Sequence, residues 1–351
     1  MYEFHWPTKT FVGPGIVKEL DQHVLPENED DRLLIIAPRE PWAGALVDKI
    51  AQLMLNAGWK KAASFPAVEP NPSWNTVEKG IQTALENKTT TVIAFGGGSA
   101  MDAGKVIADR SGAARLITLP TTAGTGGEIS PWAVISNPDT REKDSVVSKW
   151  PDMTFLDPEL TLSVPPLVTL FTGIDAFIHG LEAYLSSNAN PLTDALAIQG
   201  MTMIVDHLEI AVENGQDLEA RSALMQASLL TGASMLHAGL GLMHAIGNVT
   251  GGLYHQVPHG LILMRCMDSV LAFNQPAAGD KYQAIQDLVK KLREITSRLF
   301  IRLSVPEVRI AEADLEQLAK RAVENVNAIT NPRPANTEQV NQLVRDSFLV
   351  E

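Results

Sequence analysis

Asp175 and His179 stand four residues apart in Thr172-Gly173-Ile174-Asp175-Ala176-Phe177-Ile178-His179. On a helix that spacing puts both side chains on one face, where a carboxylate oxygen and an imidazole nitrogen can reach a single cation. Two further segments supply imidazoles, Gly241-Leu242-Met243-His244 and Tyr254-His255-Gln256-Val257-Pro258-His259-Gly260. Four of the chain's eight histidines, His179, His244, His255 and His259, therefore fall in three short stretches. A core without polar work rarely collects so many. One Asp with three His is a nitrogen and oxygen donor set suited to Fe²⁺ or Zn²⁺, with a coordination position left for a substrate oxygen. The competing reading is a hydrogen-bonded Asp–His pair with unconnected histidines elsewhere.

A second chemistry is written in glycines. Gly96-Gly97-Gly98-Ser99 follows the apolar run Thr91-Val92-Ile93-Ala94-Phe95 and opens a helical stretch carrying Asp102 and Lys105. Successive residues without side chains let backbone N–H groups approach a pyrophosphate, and a helix N-terminus adds partial positive charge. The bland alternative is a tight strand-to-helix turn, and the pattern departs from the G-x-G-x-x-G fingerprint of an ordinary Rossmann domain. Pro120-Thr121-Thr122-Ala123-Gly124-Thr125-Gly126-Gly127-Glu128 also follows a strand and offers hydroxyls and glycines. Two such loops at successive strand ends favour a nucleotide site over two flexible turns.

The elements that must position these residues change character along the chain. Leu33-Leu34-Ile35-Ile36 leads to a helix near Ala43 to Ala57, and Thr91 to Phe95 to one near Ser99 to Asp109; Leu116 to Pro120 is a further strand. This alternation predicts a parallel sheet covered on both faces. After Asp157-Pro158-Glu159-Leu160 the periodicity turns helical, as in Pro191 to Glu213 and Leu218 to His237. We place a boundary near residue 160, giving an α/β dinucleotide-binding domain over 1–160 and an all-α metal-binding, catalytic domain over 161–351. Val164-Pro165-Pro166 suits the first turn of the incoming helix.

Composition bounds the partners. At 351 residues the chain suits two lobes with a cleft, and 45% apolar with 20% charged residues is a globular balance. The 28 Lys and Arg against 41 Asp and Glu leave a formal charge of −13, which repels nucleic acid and anionic membranes. A single cysteine, Cys266, excludes an internal disulfide framework and a thiolate zinc cluster, so a reducing cytoplasm is expected. The start, Met1-Tyr2-Glu3-Phe4-His5-Trp6, lacks the marks of a signal peptide, and no uninterrupted apolar run reaches spanning length.

With these motifs in order, the chain resembles the iron-containing alcohol dehydrogenase family, which shares the dehydroquinate synthase-like fold. Gly96-Gly97-Gly98-Ser99-x-x-Asp102-x-x-Lys105 is similar to the family's cofactor signature and Thr121 to Glu128 to its second phosphate loop. Val68-Glu69-Pro70-Asn71-Pro72, Asp175-Ala176-x-x-His179 through Glu182-Ala183-Tyr184, the His244 segment, Pro258-His259-Gly260 and Asn331-Pro332-Arg333-Pro334 complete the order. The resemblance implies that Asp175, His179, His244 and His259 hold the metal. It implies Fe²⁺, with Zn²⁺ or another divalent ion as substitute, a small aldehyde or alcohol as substrate, and a homodimer as a common assembly. Pro38, Arg39, Gly96, Gly97, Gly98, Ser99, Asp102, Thr121, Thr122, Thr125 and Lys143 are the expected cofactor contacts.

Three departures from the family pattern bear on mechanism. Where relatives often carry a histidine four residues after the third ligand, this chain has Asn248. One extra residue between the third and fourth ligands accompanies His255, which either supplies the missing imidazole for proton transfer or is a solvent-facing loop histidine. Relatives that prefer NAD usually end the first strand with an acidic residue, whereas this chain has Ala37-Pro38-Arg39. A 2′-phosphate is then not repelled and Arg39 can pair with it, which favours NADPH over NADH, unless Arg39 is a solvated loop charge. The implied reaction is metal-assisted hydride transfer, with no activated Ser or Cys. Its rivals are a lyase, synthase or polyol dehydrogenase on the same scaffold and a non-catalytic dinucleotide-binding protein. Asp175 to Tyr184 and His244 to Gly260 contain no Lys or Arg, which points to a neutral substrate; Arg265 and Lys143 are the basic exceptions.

Overall fold

The computed structural model describes residues 2–140 and 142–350. Their contacts divide the chain into two units. The first is formed by Trp6–Thr122 and Gly126–Val164; the second holds the chain from Pro165 on, together with Ala123–Thr125 and the segment ending at His5.

In the first unit, β1 (Lys9–Val12) and the single-turn α1 (Leu20–His23) precede β2 (Arg32–Pro38), α2 (Gly44–Asn56) and β3 (Lys61–Val68). Then come α3 (Trp74–Glu86), β4 (Thr91–Gly96), α4 (Gly98–Arg110), β5 (Arg115–Pro120), the hairpin β6 (Trp132–Asn137) with β7 (Glu142–Val147), and β8 (Met153–Leu156). Six of these strands form one parallel sheet in the order β1-β8-β5-β4-β2-β3. The central strands are apolar runs because both faces are buried. Leu34, Ile36, Val92, Ala94 and Leu116 turn one way into the core beneath α3 and α4. Leu33, Ile35, Ile93, Phe95 and Ile117 turn the other way, toward Leu20 of α1 and Val47, Ile50 and Met54 of α2. This is the two-residue alternation of a strand. β3 lies on one side of β2 and β4 on the other, so the connection reverses direction between them. The carboxyl ends of β2 and β4, at Pro38 and Gly96, flank that switch point, where open α/β sheets bind ligands.

The second unit is helical: α5 (Pro166–Leu185), α6 (Pro191–Glu213), α7 (Leu218–Ala238), α8 (Leu242–Leu253), α9 (His259–Arg302), α10 (Leu315–Glu324) and α11 (Thr337–Ser347), with the short pair β9 (Arg309–Ile310) and β10 (Leu349–Val350). Pro166 occupies the first position of α5, where a missing N–H costs nothing. α5 is buried on almost every side, its polar residues Asp175, His179 and Glu182 included. By length and hydropathy α6 could cross a membrane. Its Ala197, Met201, Ile204 and Leu208 instead join the core of α5 and α7. α9 is broken at Gly279 (φ 55°, ψ −137°), three residues after Pro276, and doubles back so that Arg293 pairs with Asp268.

Candidate metal centre and nucleotide-binding loops

Asp175 and His179 face the same way from the buried middle of α5. Asp175 Oδ1 lies 3.7 Å from His179 Nε2, 3.5 Å from His244 Nε2 and 3.8 Å from His259 Nε2. Three imidazoles from three helices thus aim the same ring nitrogen at one carboxylate oxygen. The ligand atoms of Asp175, His244 and His259 all lie within 4.8 Å of one another. His179 stands beside that triple, its ring stacked on that of His244 with centroids 4.6 Å apart. Asp175 Oδ1 and His244 Nε2 are buried yet make no hydrogen bond. Orphaned polar atoms of this kind are costly unless something else satisfies them. A divalent cation between them does so, and the donor set fits Fe²⁺ or Zn²⁺. The His259 side chain is 29% exposed against 9% or less for the other three, so the open side of the centre is beside His259.

The other ring nitrogens are engaged. His179 Nδ1–H donates to the Gly124 carbonyl at 3.2 Å and His244 Nδ1–H to Glu182 Oε2 at 2.6 Å. These bonds set the tautomers that leave Nε2 free for a metal. His259 opens α9, and the adjacent Gly260 explains how that helix comes so near α5: a Cβ there would lie 2.0 Å from the Phe171 carbonyl oxygen.

Burial works against charge at each group, but the surrounding imidazoles outweigh it at Asp175 and hold its carboxyl below the ordinary carboxylate range. Burial pushes His179 down to about 4, against the pull of Asp175. At His244 burial is overcome by the hydrogen bond and charge of Glu182 together with the charge of Asp175, which raise it to about 9. Without a cation, His244 therefore carries a proton at neutral pH, and ligation must displace it. We expect metal binding at pH 7 to release about one proton, supplied by His244 because His179 is already neutral. Apparent affinity should rise about tenfold per pH unit and level off as the pH passes about 9. Calorimetric titration of metal-free protein in buffers of different ionisation enthalpy measures this. Binding at pH 7 without proton release would contradict it.

In the first unit, Gly96 ends β4 with φ +142° and lies so near its neighbours that a Cβ would meet Ala100 Cβ at 2.7 Å and Pro38 Cδ at 3.0 Å. No side chain caps the N-terminus of α4 at Gly97, which leaves its leading N–H groups for an anion. The Thr121 N–H donates to the Gly96 carbonyl (2.8 Å), joining the two loops, and Ser99 Oγ accepts the Asn71 N–H (3.2 Å), joining α4 to the Val68-Glu69-Pro70-Asn71-Pro72 turn. Gly98 and Ser99 open α4, and Thr122 is half-buried beside Gly97. Thr125 belongs by its contacts to the helical unit.

Lys105 is fully buried, and Asp102 is half-buried beside it. Lys105 Nζ donates to the Trp132 carbonyl (2.7 Å) and lies 3.6 Å from Asp102 Oδ1. Burial lowers the Lys105 pKa and raises that of Asp102, each opposed by the other's charge. The pair fastens α4 to the β6–β7 hairpin, whose half-buried Lys143 exerts a further pull on Asp102. Arg39 is exposed at the end of β2, followed by a half-buried Glu40 that sequence reasoning passed over. Asn248 is half-buried one turn beyond His244, and His255 is exposed in the turn before α9. Tyr254 anchors that turn, its hydroxyl donating to Asp314 Oδ2 (2.6 Å) and accepting the Ala311 N–H (2.8 Å).

Comparison with known proteins gives a consistent result. Residues 7–158 match the family model "Iron-containing alcohol dehydrogenase" and residues 169–348 match "Fe-containing alcohol dehydrogenase family, C-terminal". The chain is 30% identical to the NAD-dependent methanol dehydrogenase of Bacillus methanolicus, with 99% of this chain and 100% of that one covered. It is 31% identical to the 1,3-propanediol dehydrogenase of Klebsiella pneumoniae, with 99% of each covered. Among solved structures, a 1,3-propanediol oxidoreductase superposes with a TM-score of 0.88 at 28% identity, covering 99% of this chain and all of that one.

Proposed function

Because the chain belongs to the iron-containing alcohol dehydrogenase family, we propose that it interconverts small primary alcohols and aldehydes with a nicotinamide dinucleotide and a divalent metal. The observation that carries this reading is the convergence of three Nε2 atoms on Asp175 Oδ1. When bound, the cation supplies Lewis-acid polarisation of a carbonyl oxygen and the nicotinamide supplies the hydride.

Asp175, His179, His244 and His259 hold the cation; Asp175 neutralises part of its charge, and the burial of the first three strengthens every electrostatic interaction there. Gly96, Gly97, Gly98 and Ser99 present backbone N–H groups to the pyrophosphate, and the hydroxyls of Thr121 and Thr122 extend the same polar surface; Thr125, in the helical unit, is a further proposed cofactor contact. Asn248 can orient a hydroxyl but cannot exchange a proton near neutrality. His255, exposed to solvent, is the group proposed for the proton path. Neither α5 nor α8 contains Lys or Arg, and Arg265 is held by Glu307 at 3.2 Å and stacks over Phe300. That environment favours an uncharged substrate, in keeping with the methanol and 1,3-propanediol of the relatives' names. Exposed Arg39 supports NADPH as the preferred cofactor; Glu40 beside it is the carboxylate that would favour a free ribose hydroxyl instead.

The test is a panel of aldehydes assayed with NADPH and NADH after anaerobic loading of the metal-free protein with Fe²⁺ or Zn²⁺. Turnover should require the metal, disappear on chelation and be faster with NADPH. A reconstituted protein that binds dinucleotide but reduces no aldehyde would overturn the function, and a strong NADH preference would overturn the role of Arg39. An unchanged pH–rate profile in H255N would remove His255 from the proton path.

A further inference from the structure

Glu182 is the other charged residue of α5, seven residues beyond Asp175 and about 3% exposed, and no Lys or Arg pairs with it among the described residues. Both oxygens of its carboxylate are nonetheless engaged. Oε1 accepts the Met243 N–H at 2.6 Å, and Oε2 accepts the His244 N–H at 3.3 Å and His244 Nδ1–H at 2.6 Å. All three donors belong to the first turn of α8, whose own preceding residue, Gly241, provides no side-chain cap. Gly241 is what admits the carboxylate, since a Cβ there would stand 2.7 Å from Glu182 Oε1. A second buried side chain completes the cap: Asn331 Oδ1 accepts the Leu242 N–H at 3.1 Å, and Asn331 is locked by reciprocal amide bonds to Asn274.

Two side chains therefore cap α8, and they differ in one respect. Asn331 meets backbone alone at that helix, whereas Glu182 meets both the backbone and the ring of the residue whose Nε2 faces Asp175 Oδ1. A neutral amide would serve a buried helix terminus without the cost of desolvating a charge. A carboxylate is favoured where an imidazole on its far side meets a cation, because it holds Nδ1–H as a donor and makes the ring a stronger ligand. We propose that Glu182 is a positioning residue for the metal centre, fixing the tautomer, aim and basicity of His244 through Nδ1 while seating α8 against α5. This rests on the metal-centre reading above.

The variant that tests it is E182Q. A glutamine can still accept the Met243 N–H through its carbonyl oxygen, but its amide then presents N–H to His244 Nδ1. That pairing inverts the tautomer and puts the hydrogen on Nε2. Affinity of the metal-free protein for Co²⁺ and Zn²⁺, measured by competition with a chelator, should fall about 10- to 100-fold. The visible absorption of the Co²⁺ form should change as the His244 ligand is lost or turned. N331S, which disturbs the same helix cap without touching the ring, should lower thermal stability and leave metal affinity within about threefold and the Co²⁺ spectrum unaltered. Equal metal affinity and an unchanged Co²⁺ spectrum in E182Q would overturn the proposal, as would an N331S effect as large as that of E182Q. If E182Q cannot be isolated folded, E182D keeps the charge but shortens the reach by one methylene, and the same loss or its absence decides. Failure of the unaltered protein to bind metal would instead count against the functional reading itself.

Discussion

Replacing Asp175 by asparagine is expected to cost at least about a thousandfold in kcat/KM and to strip the protein of its metal, with little change in fold. The substitution is nearly isosteric, so the packing of α5 is kept, but it removes the anion on which His179, His244 and His259 converge at 3.5–3.8 Å. A carboxamide oxygen is a weaker ligand, and its NH₂ end repels a cation. Lewis-acid stabilisation is worth several kcal/mol; about 4 kcal/mol, at about 1.4 kcal/mol per decade, is the thousandfold loss. Steady-state kinetics together with metal content by mass spectrometry measure both parts. D175N with its full metal complement and turnover within tenfold of the parent would contradict the assignment.

The second large effect is expected where no functional group exists. G260A should destabilise the protein by about 2 kcal/mol or more and weaken metal binding as well. The added methyl would lie 2.0 Å from the Phe171 carbonyl oxygen and 2.8 Å from its carbon, so backbone rather than a flexible side-chain end must yield. α9 has to move away from α5, and His259, one residue earlier, moves with it. Alanine's better helix propensity offsets about 1 kcal/mol at most. The matched control is G44A in α2, where an added methyl meets nothing within 4 Å and the same propensity gain acts alone. Calorimetry of the metal-free and metal-loaded forms should show G260A melting several degrees lower and G44A unchanged or higher. A G260A protein as stable as G44A would refute the close-approach argument.

How much of this was legible in the sequence depended on whether a side chain carried the message. The strands were legible because Leu33 to Ile36 and Thr91 to Phe95 are buried on both faces, and nothing polar interrupts them. Asp175 and His179 were legible because helical spacing alone puts them on one face, and His244 and His259 because histidines are scarce. Glu182 carries no spacing that pairs it with His244, 62 residues away in the chain. Another signal was present, since a second acid in an otherwise uncharged helix has no solvent to face. The Gly124 carbonyl that orients His179 is a backbone atom, and no residue type announces it. The bend at Gly279 follows Pro276 and is visible in retrospect. The partner of Lys105 was not legible: its ammonium is spent on the Trp132 carbonyl, and the hairpin that receives it packs there only in three dimensions.

Whether one divalent cation is held at Asp175 is decided by anomalous X-ray scattering from crystals of Fe²⁺- or Zn²⁺-loaded protein, recorded on both sides of the metal absorption edge. A single anomalous peak is expected about 2.0–2.2 Å from an Asp175 carboxylate oxygen and from Nε2 of His179, His244 and His259. A peak elsewhere, or no peak in crystals of protein that turns over aldehyde, would contradict it.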